Sequence, residues 1–149
     1  MKNILLIMIT LGSFSAFGQR AKKLELVNFV KEAVQYAKEV GFEKACEEFS
    51  NGTKFKRGEF YVFAYDYNGN CLCHGAIKSQ IGVNRMEAKD KNGVSLVKEL
   101  IAAVNSGDGF VKYAKEHPQT KEIKRKLGFS MKIDDKHWLG SGVYFEDKN

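Results

Sequence analysis

The chain has 149 residues, with 24 Lys and Arg against 18 Asp and Glu, a formal net charge of +6, and 44% hydrophobic residues. This length is typical of one domain with a single core. The basic excess is spread over the chain instead of forming a long block, which argues against nucleic acid as a partner.

The N-terminus is typical of an export signal. A lysine precedes the apolar run from Ile4 to Leu11, and Ala16 and Gly18 form a small-x-small pattern. The run is short for a membrane span, and no cysteine near the site favours a lipid anchor. The sequence therefore predicts a signal peptide over residues 1–18 and a periplasmic or secreted domain over residues 19–149.

Helical spacing dominates the next part of the chain. After Lys22, apolar residues recur every three or four positions, at Leu24, Val27, Val30, Val34 and Ala37. This pattern predicts a long amphipathic helix that ends at Gly41. A second, short helix is predicted over Phe42–Phe49.

A β-hairpin is predicted after these helices. The segment Phe60–Tyr65 is rich in aromatic and β-branched residues, Asp66–Asn70 contains the turn-forming Asn-Gly pair, and Leu72–Ala76 returns. Period-2 geometry assigns alternate residues to opposite faces, which both require a covering layer. One predicted face carries Tyr61, Phe63 and Tyr65, and the other carries Phe60, Val62 and Ala64.

The remaining elements complete an α+β domain. Asp90 is expected to cap a helix over Val94–Ala103, and three further strands are predicted at Phe110–Ala114, Lys124–Ile133 and Trp138–Phe145. Short turns between consecutive strands require antiparallel pairing. The predicted architecture is one central antiparallel sheet with a long N-terminal helix on one face.

The last two predicted strands show alternating glycines in one case and two distinct side-chain faces in the other. Gly140 and Gly142 alternate with larger residues, a pattern that lets another group approach the strand closely. In the preceding strand, Lys126 is predicted to share one face with Gly128 and Ser130. The opposite face is predicted to carry Leu127, Phe129 and Met131.

The three cysteines leave alternatives open. Cys46 can form a disulfide with Cys71 or with Cys73, which are expected to point the same way along one strand, or all three can be half-buried strand and helix residues. A metal site at Cys71, Cys73 and His74 is a further alternative. The haem-attachment spacing is absent and no second ligand cluster is visible, so no metal or cofactor is predicted.

Nothing in the sequence indicates catalysis. The aspartates lie in turns, where they bond the backbone, and the chain lacks HExxH, Gly-x-Ser-x-Gly and phosphate-loop motifs. Ser141 lies between two glycines, but no pattern relates it to His117 or His137. We therefore expect no enzymatic activity.

Several segments taken in order resemble one family. GEFYVFAYDYNGNCLCHG, KDKNG, GDGFVKY and HWLGSGVYFED are similar to segments of the single Cache domains of bacterial extracellular sensing, over about Lys22–Asp147. The resemblance implies a PAS-like sheet and a small organic ligand, often a carboxylate, bound beneath the loop and helix that cross the sheet.

The sequence departs from that family in two places. Cache domains usually precede a transmembrane helix and a signalling module, whereas this sequence stops at Asn149, so the expectation is a freestanding exported form. Cys71 and Cys73 are followed by Gly75–Lys78, where the family often has Ala and a Pro-Asn pair.

The resemblance also suggests a ligand site. Lys126 corresponds to the lysine ahead of the family's fourth strand and is the expected charge partner of an anion. Two tyrosines and a histidine are expected to donate hydrogen bonds, and two phenylalanines to form walls. The full candidate set is Tyr61, Phe63, His74, Phe110, Tyr113 and Lys126.

These observations predict an exported domain that senses a small organic molecule, with a short carboxylate as the expected ligand. The segment Ile77–Gly109 is expected to close over the sheet on binding. The alternative is a ligand-free interaction protein on the same fold, paired through its N-terminal helix with a second copy or a membrane sensor. A pocket filled by side chains would favour that alternative.

Overall fold

A computed structural model describes residues 12–107, 109–117 and 119–145, with side chains from Phe17 onward. It confirms the α+β prediction. The helices are α1 (Gly12–Val40), α2 (Phe42–Asn51) and α3 (Leu96–Ser106), and a short 3₁₀ helix spans Lys78–Gln80. The strands are β1 (Lys56–Arg57), β2 (Phe60–Tyr61), β3 (Phe63–Asp66), β4 (Cys71–His74), β5 (Phe110–Glu116), β6 (Ile123–Lys132) and β7 (His137–Phe145).

The main sheet has five antiparallel strands in the order β4-β3-β7-β6-β5. The prediction of one strand over Phe60–Tyr65 is wrong in one respect, because the segment is interrupted at Val62 and forms two strands, β2 and β3. β2 pairs with β1 in a separate hairpin, whereas β3 pairs with β4 and β7. The predicted turn is confirmed, and Gly69 adopts a φ of 85° there.

One sheet face, the helix face, is covered by α1 and α2. Leu26, Val30 and Ala33 of α1 are fully buried against Val62, Ala64 and other side chains of this face. Leu24 does not join them and is 61% exposed. Residues 17–25 of α1 are all exposed, so the periodic pattern begins before the helix reaches the sheet.

The opposite face, the cavity face, carries Tyr61, Phe63, Tyr65 and Trp138. The predicted alternation of the hairpin residues between two faces is thus confirmed. Because β4 and β5 lie at opposite edges of the sheet, the connection between them must cross this face. Residues 77–95, called the crossing segment, span the face, and α3 follows them.

A β-bulge in β4 determines which face of the sheet each of its two cysteines points to. Ala64 pairs with Cys73 and Tyr65 with Cys71, so Leu72 is an extra residue in β4. Cys71 and Cys73 therefore point to opposite faces, and the prediction that they point the same way is wrong. Cys73 faces α2 and forms a disulfide with Cys46, with the Cα atoms 5.3 Å apart, while Cys71 remains a free, buried thiol.

This disulfide also bears on the metal-site alternative. The Cys73 sulfur is bonded to Cys46 and cannot act as a thiolate ligand. Among the residues that the structure describes, no group of three or more His, Cys, Asp or Glu side chains is arranged to hold a metal ion. The described helices also include none that is both long and apolar enough to cross a bilayer.

We predict that the double variant Cys46→Ala/Cys73→Ala loses about 3–4 kcal/mol of unfolding free energy, because a cross-link over 27 residues restricts the unfolded chain. Urea denaturation measures the loss. Cys71→Ala is the control, since it removes a buried sulfur without a cross-link and should cost about 1 kcal/mol. Reductant should bring the wild type to the stability of the double variant. An unchanged wild type under reductant would contradict the prediction.

Candidate functional site

A cavity of about 110 Å³ lies between the cavity face and the layer that crosses it. Its sheet side includes Tyr61, Phe63, Tyr65, His74, Tyr113 and Lys115. Its other side includes Arg85, Lys89, Asp90, Leu96, Val97 and Leu100, from the crossing segment and α3. The site is thus aromatic on the sheet side and mixed apolar and charged on the other.

Four of the six candidate ligand residues meet at this cavity, namely Tyr61, Phe63, His74 and Tyr113. The strands place them there through the two-residue alternation of side chains. The Tyr61 and His74 rings lie 5.2 Å apart, and the Phe63 ring packs edge-on against Trp138. These contacts hold the aromatic floor in place.

Phe110 is not part of the cavity. Its ring packs 4.5 Å from that of Phe129, and the ammonium group of Lys23 lies 4.0 Å above it, on the helix face. The reason is strand parity, because Phe110 and Tyr113 are three residues apart on β5 and must point to opposite faces. The expectation that both contribute to one pocket overlooked this parity.

Lys126 lies in a buried position beside Tyr61 and is not one of the cavity-lining residues. Its side chain is 1% exposed, and Nζ donates to Tyr61 Oη at 2.9 Å. The ammonium group also lies 4.3 Å from the Tyr61 ring centroid and 4.5 Å from that of Tyr144. Lys126 therefore contacts Tyr61, a residue of the cavity lining, without lining the cavity itself.

Among the described residues, no carboxylate lies within ion-pair distance of Lys126. Burial, and then the charge of Lys115, lowers the pKa of Lys126 to about 7, although Glu59 opposes the shift. At neutral pH the group is balanced between its charged and neutral forms.

Glycines provide the space for this arrangement, as the sequence predicted. A Cβ atom on Gly142 would lie 2.6 Å from Cε of Lys126 and 3.1 Å from the Tyr113 hydroxyl. A Cβ atom on Gly140 would lie 2.8 Å from the Phe63 ring. The absence of side chains at these positions lets the lysine and the aromatic rings lie close to β7.

His74 has a defined hydrogen-bonding role. Its Nδ1 atom accepts from the backbone N–H groups of Ala76 and Ile77 at 3.2 and 3.0 Å, so the neutral ring carries its proton on Nε2. Burial, followed by the charges of Lys115, Lys126 and Arg85, lowers the pKa of His74 to about 3. The ring is therefore neutral at physiological pH and offers an N–H donor.

Sequence reasoning missed the charged residues of the cavity lining, which are Arg85, Lys89, Asp90 and Lys115. Lys115 lies two residues after Tyr113, so strand parity could have placed it on the cavity face. Arg85 lies in a segment without periodicity, and only the folded chain brings it to the site. Burial, followed by the charge of Arg85, lowers the pKa of Lys115, which shows that the two cations share one environment.

Asp90 is the acidic residue of the cavity lining, and its oxygens are already occupied. Oδ1 accepts from the backbone N–H groups of Asn92 and Val94 at 2.8 Å each, and Oδ2 accepts from that of Ala114 at 2.7 Å. Burial acts to raise the pKa of Asp90, but these hydrogen bonds outweigh it and hold the pKa below its ordinary value. The predicted helix-capping role is wrong, since α3 begins after Ser95.

The cavity therefore carries an excess of positive charge. Arg85 and Lys115 line it, Lys126 donates to the lining residue Tyr61, and none of the three forms an ion pair within the described ranges. The lowered pKa values of His74, Lys115 and Lys126 all follow from burial combined with this positive field. Such a site can attract and hold a small anion.

Comparison with known proteins identifies the fold family. The family model described as Single Cache domain 2 matches residues 19–149. The chain belongs to the single Cache domain family. A methyl-accepting chemotaxis protein from Vibrio parahaemolyticus has a similar structure, with a TM-score of 0.78 and 27% identity over 87% of this chain and 93% of that chain.

Two more distant structures show the same Cache fold. One is a Cache chemosensory domain described as recognising carboxylic acids, with a TM-score of 0.71 and 22% identity over 86% of this chain and 96% of that one. The other is the periplasmic sensor domain of a chemotaxis protein, with a TM-score of 0.67, 21% identity and coverage of 93% and 99%. The predicted α+β architecture is that of this family.

A curated relative is the sensor histidine kinase MctS of Rhizobium johnstonii, which is 33% identical over 135 residues. The match includes 87% of this chain but only 29% of the kinase. The chain thus spans less than a third of that protein's length.

We predict that Lys126→Met flattens the pH dependence of stability between pH 7 and 10.5. In that range the unfolded chain binds a proton at Lys126 that the folded chain does not, so the free energy of unfolding rises with pH. Urea denaturation at several pH values measures the slope. Lys112→Met, which replaces an exposed lysine of β5, should keep the wild-type slope. A full slope in Lys126→Met would show that Lys126 does not titrate as described.

Proposed function

We propose that this Cache domain is a sensor domain that binds a small organic anion with one carboxylate group in the cavity of the cavity face. The observation that carries the proposal is the set of cations at the cavity, Arg85 and Lys115, with Lys126 hydrogen-bonded to the lining residue Tyr61. The acidic lining residue, Asp90, uses its oxygens to accept backbone hydrogen bonds and, among the described residues, forms no ion pair with these cations.

An anion would relieve the electrostatic cost of these buried cations. Desolvation and mutual repulsion disfavour the charged forms of Lys115 and Lys126, and a bound carboxylate would offset both effects. The anion would itself be expensive to bury without cations and hydrogen-bond donors. His74 Nε2–H and the Tyr61 and Tyr113 hydroxyls are the donors proposed here.

The size and lining of the cavity narrow the ligand class. About 110 Å³ is well below the roughly 300–1,000 Å³ of pockets for drug-sized molecules, so a ligand of only a few heavy atoms fits. Leu96, Val97 and Leu100 line the other side and suit a short aliphatic tail. A short-chain carboxylate meets both requirements.

The ligand-free alternative is less well supported. It predicts a pocket filled by side chains, whereas a cavity with polar and charged walls is present. The structural neighbour described as recognising carboxylic acids shares the fold of this chain, which is consistent with the proposed ligand class but does not carry the argument.

The proposed output is a change in the segment Ile77–Gly109 on ligand binding, read by a partner. The relative MctS is a sensor histidine kinase, so a membrane sensor or a second copy of this chain is the proposed partner. Export, through a signal peptide over residues 1–18, is part of the proposal. The Cys46–Cys73 disulfide supports it, because such bonds persist in oxidising compartments.

Thermal unfolding with formate, acetate, propionate and butyrate tests the proposal, with the matching primary amides as uncharged controls. A ligand that binds only the folded state at a hundredfold excess over Kd adds about 2.7 kcal/mol, or several degrees in Tm. We expect a shift with acids and none with amides. Arg85→Gln and Lys115→Gln should each weaken the apparent affinity for the acids at least tenfold, and the shift in Tm should become smaller accordingly.

Lys112→Gln is the matched control for Lys115→Gln, because Lys112 lies on the same strand but on the opposite face. It should retain the wild-type response. Equal shifts with acids and amides would overturn the carboxylate assignment. No shift with any compound would favour the ligand-free interaction protein.

A further inference from the structure

The crossing segment is attached to the two edges of the sheet very unequally. At the β4 edge, Cys71 accepts from Gly82 N at 2.8 Å and donates to Val83 O at 3.0 Å. The Asn84 side chain adds two hydrogen bonds to the β3–β4 turn, at 2.9 and 2.8 Å. This end of the segment therefore extends the sheet almost as an additional strand would.

At the β5 edge the attachment is a single hydrogen bond. The Ala114 N–H donates to Asp90 Oδ2 at 2.7 Å, and in the ranges that the structure describes no other hydrogen bond joins the crossing segment to β5. Because β5 is an edge strand, the Ala114 N–H has no partner on a further strand. The Asp90 carboxylate takes the place of that partner.

The bond to Ala114 is separate from the bonds that shape the Asp90 loop. Oδ1 accepts from Asn92 and Val94, and Gly93 N donates to Asp90 O at 3.0 Å, with Gly93 at a φ of 82°. The loop can therefore keep its conformation when Oδ2 leaves Ala114. Water can then bond both released groups, because they lie at the edge of the sheet.

This bond borders the cavity. Asp90 and Lys89 on one side and Ala114 and Lys115 on the other all line it. Separation of Asp90 from β5 would open the cavity beside the Lys115 ammonium group, whereas the β4 end would remain attached through several bonds. The weaker attachment at β5 thus makes this edge the side from which a ligand would enter.

We propose that Asp90 is a positioning residue that latches the crossing segment onto β5, and that the ligand enters the cavity at this edge when the latch opens. The ligand part rests on the proposed function. The latch itself is independent of any ligand, and it can be measured in the unliganded protein.

Amide hydrogen exchange, followed by NMR, tests the latch directly. We expect the Ala114 amide to be protected at least tenfold less than the Cys71 amide, because it is released by local opening. Asp90→Asn should lower Ala114 protection at least a further tenfold and leave Cys71 unchanged, since an amide side chain offers one acceptor oxygen in place of two.

Asp134→Asn is the matched control. Asp134 Oδ1 accepts from the backbone N–H groups of Lys136 and His137 at 2.8 Å each, as Asp90 does in its own loop, but Asp134 lies in the β6–β7 turn. This variant should leave Ala114 protection unchanged. Equal protection of Ala114 and Cys71, lost together in Asp90→Asn, would overturn the latch, because the two edges would then open only as one unit.

The entry route is tested by NMR line-shape analysis of propionate binding. We expect Asp90→Asn to raise both the association and the dissociation rate constants, each at least threefold, because the edge opens more often. An effect on dissociation alone, or no effect, would overturn the entry route. If propionate does not bind at all, the proposed ligand class fails, while the exchange experiment still decides whether the latch exists.

Discussion

A sheet with aromatic side chains on both faces must be covered twice, and this constraint shapes the whole domain. The helix face is covered by α1, whereas the cavity face is covered by the connection between β4 and β5. Those strands lie at opposite edges, so their connection has to cross the sheet. The cavity exists because a crossing loop and one helix cover the face less completely than a long helix would.

The electrostatics of the cavity work against the stability of the unliganded fold. Lys126 is buried and forms no ion pair with any residue that the structure describes. Burial and the charges of neighbouring cations lower the pKa values of His74, Lys115 and Lys126, which favours their neutral forms. Burial of cations is costly, and the anion proposed above would offset that cost. Tyr61 connects Lys126 to the cavity, since it lines the cavity and accepts the hydrogen bond of Lys126.

The bulge at Leu72 directs the two cysteines of β4 to opposite faces of the sheet. It directs Cys73 to the helix face, where the disulfide ties β4 to α2, and leaves Cys71 on the cavity face as a thiol whose pKa is raised by burial. His74 follows Cys73 directly and points into the cavity side. The disulfide therefore anchors the strand that carries one of the proposed donors.

The sequence by itself determined the order of elements, the two-faced hairpin, the role of Gly140 and Gly142, and the aromatic residues Tyr61, Phe63 and Tyr113, because these follow from local periodicity. It also identified the family through ordered motifs. The tertiary structure alone decided that Arg85 and Asp90 reach the cavity, since they lie in a segment without periodicity whose path is set by the sheet order. It also decided the disulfide partner, because one extra residue in β4 reverses side-chain direction and no local pattern reports it. The burial of Lys126 likewise depends on the tertiary structure, because Tyr61 and Tyr144, which contact its ammonium group, come from other strands.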